Sequence, residues 1–239
     1  MNKRHLNPKM GHTPITMTEP NSALRLWQLI SSTLPVGAYS YSQGLETAVE
    51  SAWVDSEDSA QEWICGQLLT NLAILDAPIL KRLLVAWRTE NRHKVRHWNA
   101  QLLASRESSE LKAEDRYMGG ALAKLLKDLG LQFDRAWLDY KPSFISMFAL
   151  AAVSWNIDDT DTARGLLWSW CENQVMAAVK LIPLGQTAGQ RLLFTLAEHI
   201  PAAVAKGYAL ADDEIGQLNP RLAIASALHE TQYSRLFRS

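Results

Sequence analysis

The residues best suited to chemistry are few, and His93 and His97 are the first of them. Their four-residue spacing places two imidazoles on one face of a helix, where they could bind a metal ion. Arg92, Lys94 and Arg96 surround the pair with positive charge, and no glutamate stands beside either histidine at the spacing of a zinc protease. Because nearby cations oppose a bound metal ion, the pattern favours a solvated basic face, with a metal-binding chaperone as the alternative.

The acidic run at residues 158–161 resembles the paired carboxylates with which helical enzymes hold Mg²⁺. That chemistry needs a second acidic cluster on a facing helix. The only candidate, Asp212 with Asp213, stands in a loop-like stretch that contains glycine and asparagine. A carboxylate at a helix start accepts hydrogen bonds from free backbone N–H groups, so Asp161 at the beginning of a helix explains the run more simply.

Cys171 and Glu172 stand side by side and could supply a thiol nucleophile with an acid. Cys171, however, lies on the apolar stripe of a predicted helix, where burial raises the pKa of a thiol and makes it unreactive. No glycine-rich loop of the G-x-x-x-x-G-K-[ST] type occurs, so the chain does not bind GTP through a P-loop. We therefore predict no catalytic residue, no bound metal and no cofactor, with a small-molecule enzyme as the alternative.

The composition is that of an ordinary soluble globular protein. Of 239 residues, 47% are apolar and 21% are charged, and the chain is long enough to bury a sizeable core. A formal net charge of −1 gives no general attraction to nucleic acid or to an anionic membrane. No run of about 18 apolar residues could cross a bilayer, and the first 22 residues lack the apolar core of a signal peptide. We expect a cytoplasmic protein that binds neither nucleic acid nor membrane.

Hydrophobic periodicity predicts a single all-α domain of about ten helices, arranged as a bundle, over residues 23–239. Residues 1–22 are polar and interrupted by proline, and we expect a disordered arm there. The predicted helices begin at residues that can cap free backbone N–H groups: Ser40, Ser59, Asp76, Ser143, Asp161 and Thr187. Gly207 ends one helix. Gln174 falls on a buried stripe, and we expect its amide to bond the reversal at residues 183–186.

The stretch at residues 34–46 is the most unusual in the chain, and we call it the corner. Pro35 ends the first helix and Gly37 can take the positive φ of a tight reversal. Ser40 and Gln43 have capping-box spacing, which predicts a helix from Ser40 to about Ala52. Gly44 then falls inside that helix, where glycine costs about 1 kcal/mol relative to alanine. Such a glycine predicts close approach of another backbone, either from a partner or from the chain itself.

The segment at residues 229–239, which we call the tail, carries Leu236 and Phe237 between two arginines. Each of these apolar side chains gains about 1.5–3 kcal/mol on burial, so something should cover them. Either the tail folds back on the core or a second protein takes it. Arg235 and Arg238 favour the partner, because arginine is enriched at interfaces.

Three stretches resemble signatures of one protein family. The string Pro-Val-Gly-x-Tyr-Ser-x-Ser-x-Gly-Leu-Glu at residues 35–46 resembles the N-terminal signature of the UreF urease accessory proteins. Residues 180–190 and the tail resemble that family's other two signatures, in the same order. Lys180 lies in the Lys-x-x-Pro-Leu-Gly-Gln signature, which is implicated in contact with a GTPase. Lys180 also suits a helix end, where a cation complements the macrodipole by about 0.3–1 kcal/mol, and both roles stay open.

The resemblance implies a non-catalytic urease maturation factor. UreF proteins dimerise, bind the accessory protein UreD (also called UreH) and recruit the GTPase UreG, and the assembly inserts nickel into the dinuclear centre of apo-urease. An all-α nickel-binding metallochaperone remains the alternative. The residues expected at partner contacts lie in the three signatures: Pro35, Gly37, Tyr39, Ser42, Gly44, Glu46, Lys180, Pro183, Gly185, Gln186, His229, Tyr233, Arg235, Leu236 and Phe237.

Overall fold

The computed structural model describes residues 21–134, 141–216 and 219–239. Within those ranges the chain is helical and contains no β-strand, so the predicted all-α class is confirmed. The ten α-helices of these ranges are α1 Ser22–Leu29, α2 Leu45–Glu50, α3 Glu57–Gln67, α4 Ala77–Arg88, α5 Arg92–Ala104, α6 Ser109–Asp128, α7 Phe144–Ser154, α8 Asp159–Leu181, α9 Gln186–Ala209 and α10 Pro220–His229.

The predicted disordered arm lies outside the described residues over positions 1–20. Its last residue, Ser22, already belongs to α1. No helix in the described ranges is both long enough and apolar enough to cross a bilayer.

The centre of the fold is a continuous helical rod in which α3 and α4 are joined by a π-helical segment, Leu68–Asp76. The π-helical segment is apolar on nearly every side, and most of its residues are buried. Helix α9 packs on it, while α5, α7 and α8 pack on α4. Asp76 was predicted to cap the start of a helix. That prediction is wrong: Asp76 has helical φ and ψ and its side chain caps nothing.

Two predicted capping boxes differ from the observed helix starts. At α3 the serines Ser56 and Ser59 cap each other, so the helix begins at Glu57 rather than after Ser59. At α9 the predicted box from Thr187 does not form, and Gly185 precedes the helix without a side-chain cap. The predicted cap at Ser143 is confirmed, since its hydroxyl accepts a hydrogen bond from the Ser146 N–H at 3.1 Å.

Close helix packing explains two glycines. A Cβ on Gly119 of α6 would lie 2.1 Å from the backbone carbonyl oxygen of Pro142. The chain that leads into α7 can therefore pass this close to α6 only because residue 119 has no side chain. A Cβ on Gly207 would lie 2.5 Å from the carbonyl oxygen of Ala73. Gly207 was predicted to end a short helix, but α9 continues to Ala209, because this glycine serves the crossing with the rod.

A buried charge cluster joins the rod to α6 and α7. Arg106, between α5 and α6, lies with its guanidinium 2.8 Å from a carboxylate oxygen of Asp76 and 2.7 Å from one of Asp115. Asp115 also accepts a hydrogen bond at 2.8 Å from the N–H of Phe144 at the start of α7. Burial raises the pKa of Asp76, an effect that Arg106 opposes. Burial alone would lower the pKa of Arg106, but the two carboxylates raise it.

Replacing Arg106 with leucine should lower the free energy of unfolding by about 3–5 kcal/mol, because two buried carboxylates would lose their counter-ion. Urea denaturation followed by circular dichroism measures this change. Arg191→Leu is the matched control, since it breaks an exposed ion pair with Glu57 and should leave the midpoint nearly unchanged. Equal midpoint shifts in the two variants would contradict a special role for the buried cluster.

Candidate functional site

The corner does not form the predicted helix from Ser40. The chain instead makes a 3₁₀ turn at Ala38–Ser40, and α2 begins only at Leu45. Gln43 and Gly44 both have positive φ, 52° and 79°. Because two successive left-handed residues cannot belong to a right-handed helix, the Ser40–Gln43 capping box does not form. The positive φ expected at Gly37 is confirmed, at 80°.

Gly44 has two reasons within the chain to be glycine. It stands just before α2 with φ of 79°, so the prediction that it lies inside a helix is wrong. A Cβ there would lie 3.0 Å from the Cβ of Ala225 and 3.5 Å from Cδ1 of Leu222, both on α10. The close neighbour of this glycine in the structure is therefore the chain's own last helix.

The tail returns to the corner and is held there by its backbone. The Arg238 N–H donates to the carbonyl oxygen of Ser40 at 2.8 Å. The carbonyl oxygen of Ser239 accepts hydrogen bonds from the N–H groups of Ser42 and Gln43, at 2.7 and 3.0 Å, and from the Ser42 hydroxyl at 2.6 Å. Of the two arrangements left open by the sequence, the described tail adopts the fold-back.

Glu46 is the main acceptor for the tail. Its buried carboxylate accepts hydrogen bonds from the N–H groups of Leu236 and Phe237, at 2.6 and 2.9 Å. The same carboxylate lies 3.3 Å from Nε2 of His229. Glu46 therefore binds both the end of α10 and the segment that follows it, which fixes the direction in which the tail leaves the helix.

His229 is fully buried between two carboxylates. Its Nδ1 lies 2.6 Å from Glu110 of α6, opposite the contact of its Nε2 with Glu46. Both ring nitrogens of His229 thus face a carboxylate oxygen. Glu110 also pairs with Arg235 at 2.6 Å. Arg235, predicted to contact a partner, is thus tied to α6 within this chain.

The two apolar residues of the tail, Leu236 and Phe237, differ in burial. Phe237 is buried, and Nζ of Lys180 lies 5.7 Å from the centre of its ring. Leu236 remains 66% exposed, and the side chain of Tyr233 is fully exposed. In the corner, Tyr39 is also exposed. The fold-back therefore covers one large apolar side chain and leaves its neighbours in solvent.

Lys180, in the signature stretch at residues 180–190, also lies beside the tail. It lies in the last turn of α8, as predicted, and its contact with Phe237 joins this helix end to the tail. Pro183, Gly185 and Gln186 follow and are exposed. The predicted hydrogen bond from Gln174 to this reversal is wrong: Gln174 is fully buried, and neither polar atom of its side-chain amide has a hydrogen-bond partner among the residues that the structure describes.

A cavity of about 120 Å³ lies beneath the corner, and Glu114 of α6 reaches its wall. The Glu114 carboxyl accepts hydrogen bonds from Nε2 of Gln43 at 2.6 Å and from the hydroxyl of Ser239 at 2.8 Å. Oε1 of Gln43 in turn accepts from Nε1 of Trp170 at 2.7 Å. Burial raises the pKa of Glu114 to about 7, although these hydrogen bonds oppose the rise. Gln43 was predicted only to cap a helix, and neither Glu110 nor Glu114 was predicted to belong to this site. The one local signal for the two glutamates was their four-residue spacing, which places them on the same side of α6.

The residues considered first for chemistry are not assembled into a site. In the ranges 21–134, 141–216 and 219–239, no group of three or more His, Cys, Asp or Glu side chains is placed to hold a metal ion. Burial raises the pKa of the Cys171 thiol to about 12. Asp158, not Asp161, caps α8, by accepting from the N–H groups of Thr160 and Asp161. The geometry of the site is suited to holding and presenting a segment of chain.

Glu114 should make stability depend on pH. Its pKa of about 7 in the folded chain exceeds the usual value of 4.5, so the folded state binds this proton more tightly. The resulting stability is fully present below about pH 4.5 and is lost as the pH rises through about 7. Between pH 5 and 8, the free energy of unfolding of the wild type should therefore fall by up to about 3 kcal/mol through this group. The Glu114→Gln variant should not show this fall, because glutamine does not ionise.

Urea denaturation at several pH values measures this difference between variant and wild type. Glu62→Gln, on the exposed side of α3, is the control and should follow the wild type at every pH. A Glu114→Gln variant with the same pH profile as the wild type would contradict the assignment.

Comparison with known proteins identifies the family. A sequence model of the UreF family matches residues 54–197. The urease accessory protein UreF of Alkalilimnicola ehrlichii is 52% identical over 226 residues, which cover 93% of this chain and 99% of that protein. The UreF proteins of Hahella chejuensis and Chromohalobacter salexigens are 44% and 43% identical, over 92% and 96% of this chain and 99% and 100% of theirs. With a match of this extent, the chain belongs to the UreF family.

Proposed function

We propose that this chain is a non-catalytic factor for urease maturation in the cytoplasm, which bridges a UreD/UreH-type protein and the GTPase UreG. In this role it couples GTP hydrolysis to the insertion of nickel into apo-urease and acts as a homodimer. The observation that carries the proposal is the meeting of all three signature stretches at one place. The corner binds the tail backbone, and Lys180 lies over the ring of Phe237.

Apart from Gly37, which is half-buried, the residues expected at partner contacts divide into two groups by their surroundings. One group is buried and holds the tail in place: Ser42, Gly44, Glu46, His229 and Phe237. We assign these residues a positioning role. The other group is exposed: Pro35, Tyr39, Lys180, Pro183, Gly185, Gln186, Tyr233, Arg235 and Leu236. Arg235 differs from the rest of this group, because its guanidinium already bonds Glu110, Glu230 and Gln232 of the same chain. We call this second group the docking face.

The chemistry of the docking face supports a protein partner. Tyr39, Tyr233 and Leu236 offer apolar area to solvent, and their neighbours include the cations Lys180 and Arg235. Tyrosine and arginine are enriched at interfaces, where a tyrosine combines ring area with a hydroxyl that needs a partner. The backbone of the tail is fixed by hydrogen bonds to the corner, so a partner would meet a surface that is already ordered. Preorganisation of this kind lowers the entropy cost of binding.

Leu236→Ser should weaken binding of a UreD/UreH-type protein by about 10-fold to 100-fold. A leucine loses about 1.5–3 kcal/mol of burial on this change, and each 1.4 kcal/mol is tenfold in affinity. The melting temperature should stay unchanged, because Leu236 is 66% exposed in the isolated chain. Isothermal titration calorimetry with the purified partner measures the affinity.

Phe194→Ser, on α9, is the matched control, since Phe194 is 72% exposed and lies outside the docking face. Arg235→Ala is less clean, because it also removes the ion pair with Glu110 that braces the tail. Unchanged affinity for Leu236→Ser, or equal loss for Phe194→Ser, would contradict the docking face.

Lys180→Ala should change GTP hydrolysis by UreG in the assembled complex while removing at most about 1 kcal/mol from the stability of the fold. The hydrolysis rate and the stoichiometry of assembly are measured together. Lys206→Ala is the control, because Lys206 also lies in the last turn of a helix, α9, and stands outside the three signature stretches. An unchanged rate with unchanged assembly would leave Lys180 with the helix-end role alone.

A further inference from the structure

A second surface with its own chemistry lies on the outer side of α6. It is a groove of about 570 Å³, between that side of the helix and the chain at Lys141 and Pro142. Four cationic side chains line it: Arg116, Lys124, Lys127 and Lys141. No carboxylate belongs to its described lining. We call it the basic groove.

Within the described part of the chain, the structure shows no counter-ion for the cations of the basic groove. There, the side chains of Arg116, Lys124 and Lys141 make no hydrogen bond or ion pair, and Nε of Arg116 is shielded from solvent without a hydrogen-bond partner. Nζ of Lys127 lies 5.2 Å from the centre of the Phe133 ring. The groove therefore concentrates positive charge on a chain whose formal net charge is −1.

Gly120 lines the groove and leaves this part of it without a side chain. Among the described residues, no atom lies within 4 Å of the position that a Cβ on Gly120 would take, and its φ is not in the left-handed region. The adjacent Gly119, by contrast, has a packing reason, since its Cβ would lie 2.1 Å from the carbonyl oxygen of Pro142. A side chain at position 120 would therefore occupy space in the groove that a ligand could otherwise use.

The spacing of the cations selects the class of ligand. Arg116 and Lys127 are eleven residues apart on one helix, a distance of about 16 Å along its axis. A single phosphate is too small to meet both, whereas an extended peptide spans that length with about five residues. Tyr117, 69% exposed at the edge of the groove, offers a flat apolar ring and a hydroxyl. We propose that the basic groove binds an acidic, extended segment of a partner polypeptide.

This proposal is separate from the docking face. Glu110 and Glu114, which hold the tail, lie on a neighbouring side of α6 and do not line the groove. A nucleic acid is the less favoured ligand, because a chain with a formal net charge of −1 offers no general attraction to a phosphate backbone. Failure of the basic groove to bind would leave the proposed maturation role untouched, and the reverse is also true.

The test uses the full chain and a fluorescein-labelled hexaglutamate peptide, with binding followed by fluorescence anisotropy. We expect saturable binding that weakens as salt is added, since the contacts are between exposed charges. The double variant Lys124→Glu/Lys127→Glu should bind at least about tenfold more weakly. Gly120→Leu, which fills the floor, should also weaken binding while leaving the melting temperature equal or higher.

Lys94→Glu/Arg221→Glu is the matched control, because it makes the same change in net charge at exposed positions outside the groove. It should bind the peptide within about twofold of the wild type. Three results would overturn the proposal: no saturable binding up to millimolar peptide, equal losses in the two double variants, or tighter binding of a hexathymidylate oligonucleotide with the same sensitivity to Lys124→Glu/Lys127→Glu.

Discussion

The need to satisfy buried carboxylates on α6 organises much of this structure. Asp115, Glu114 and Glu110 lie within two turns of one helix, and none of them is freely hydrated. A carboxylate removed from water is costly unless it gains hydrogen bonds or a counter-ion. These acids find their partners outside α6: Asp115 in Arg106 and the N–H of Phe144, Glu114 in Gln43 and Ser239, and Glu110 in His229 and Arg235. One helix thereby fixes the corner, the tail and the start of α7 relative to one another.

Much of the fold was predictable because helix periodicity and most termini are local properties. The all-α class and the cap at Ser143 follow from residues close in sequence. The errors occur where several nearby residues could cap. Ser56, Ser59 and Asp158 show that the choice among candidate caps depends on the surrounding chain as well as on residue type. No feature of the sequence predicted the π-helical segment, and Asp76 within it was therefore wrongly predicted to cap a helix.

The sequence indicated which segments belong to the candidate site, but it did not indicate which of their residues contact one another. The corner and the tail stood out by composition, yet Glu46 and Leu236 are 190 positions apart in sequence. No local rule relates such residues, and their contact is decided by which buried donor each carboxylate can reach. The same limit explains Gly44. Gln43 and Gly44 have positive φ where Gln43 bonds Glu114 and Ser239 and Gly44 packs against α10, and the capping-box pattern from Ser40 gave no sign of these distant contacts.

Because α6 supports both the docking face and the basic groove, binding at one surface could in principle change the affinity of the other. Both depend on α6, but a single rigid helix transmits nothing unless it has two arrangements that the two ligands favour differently. The clamp of Gly119 against Pro142 and the buried pair of Arg106 with Asp115 restrain α6 near its middle and near its start. Movement of the helix would therefore have to break a close backbone contact or a desolvated ion pair. The simplest physical expectation is that the two surfaces bind their ligands independently, each presented by the same fixed support.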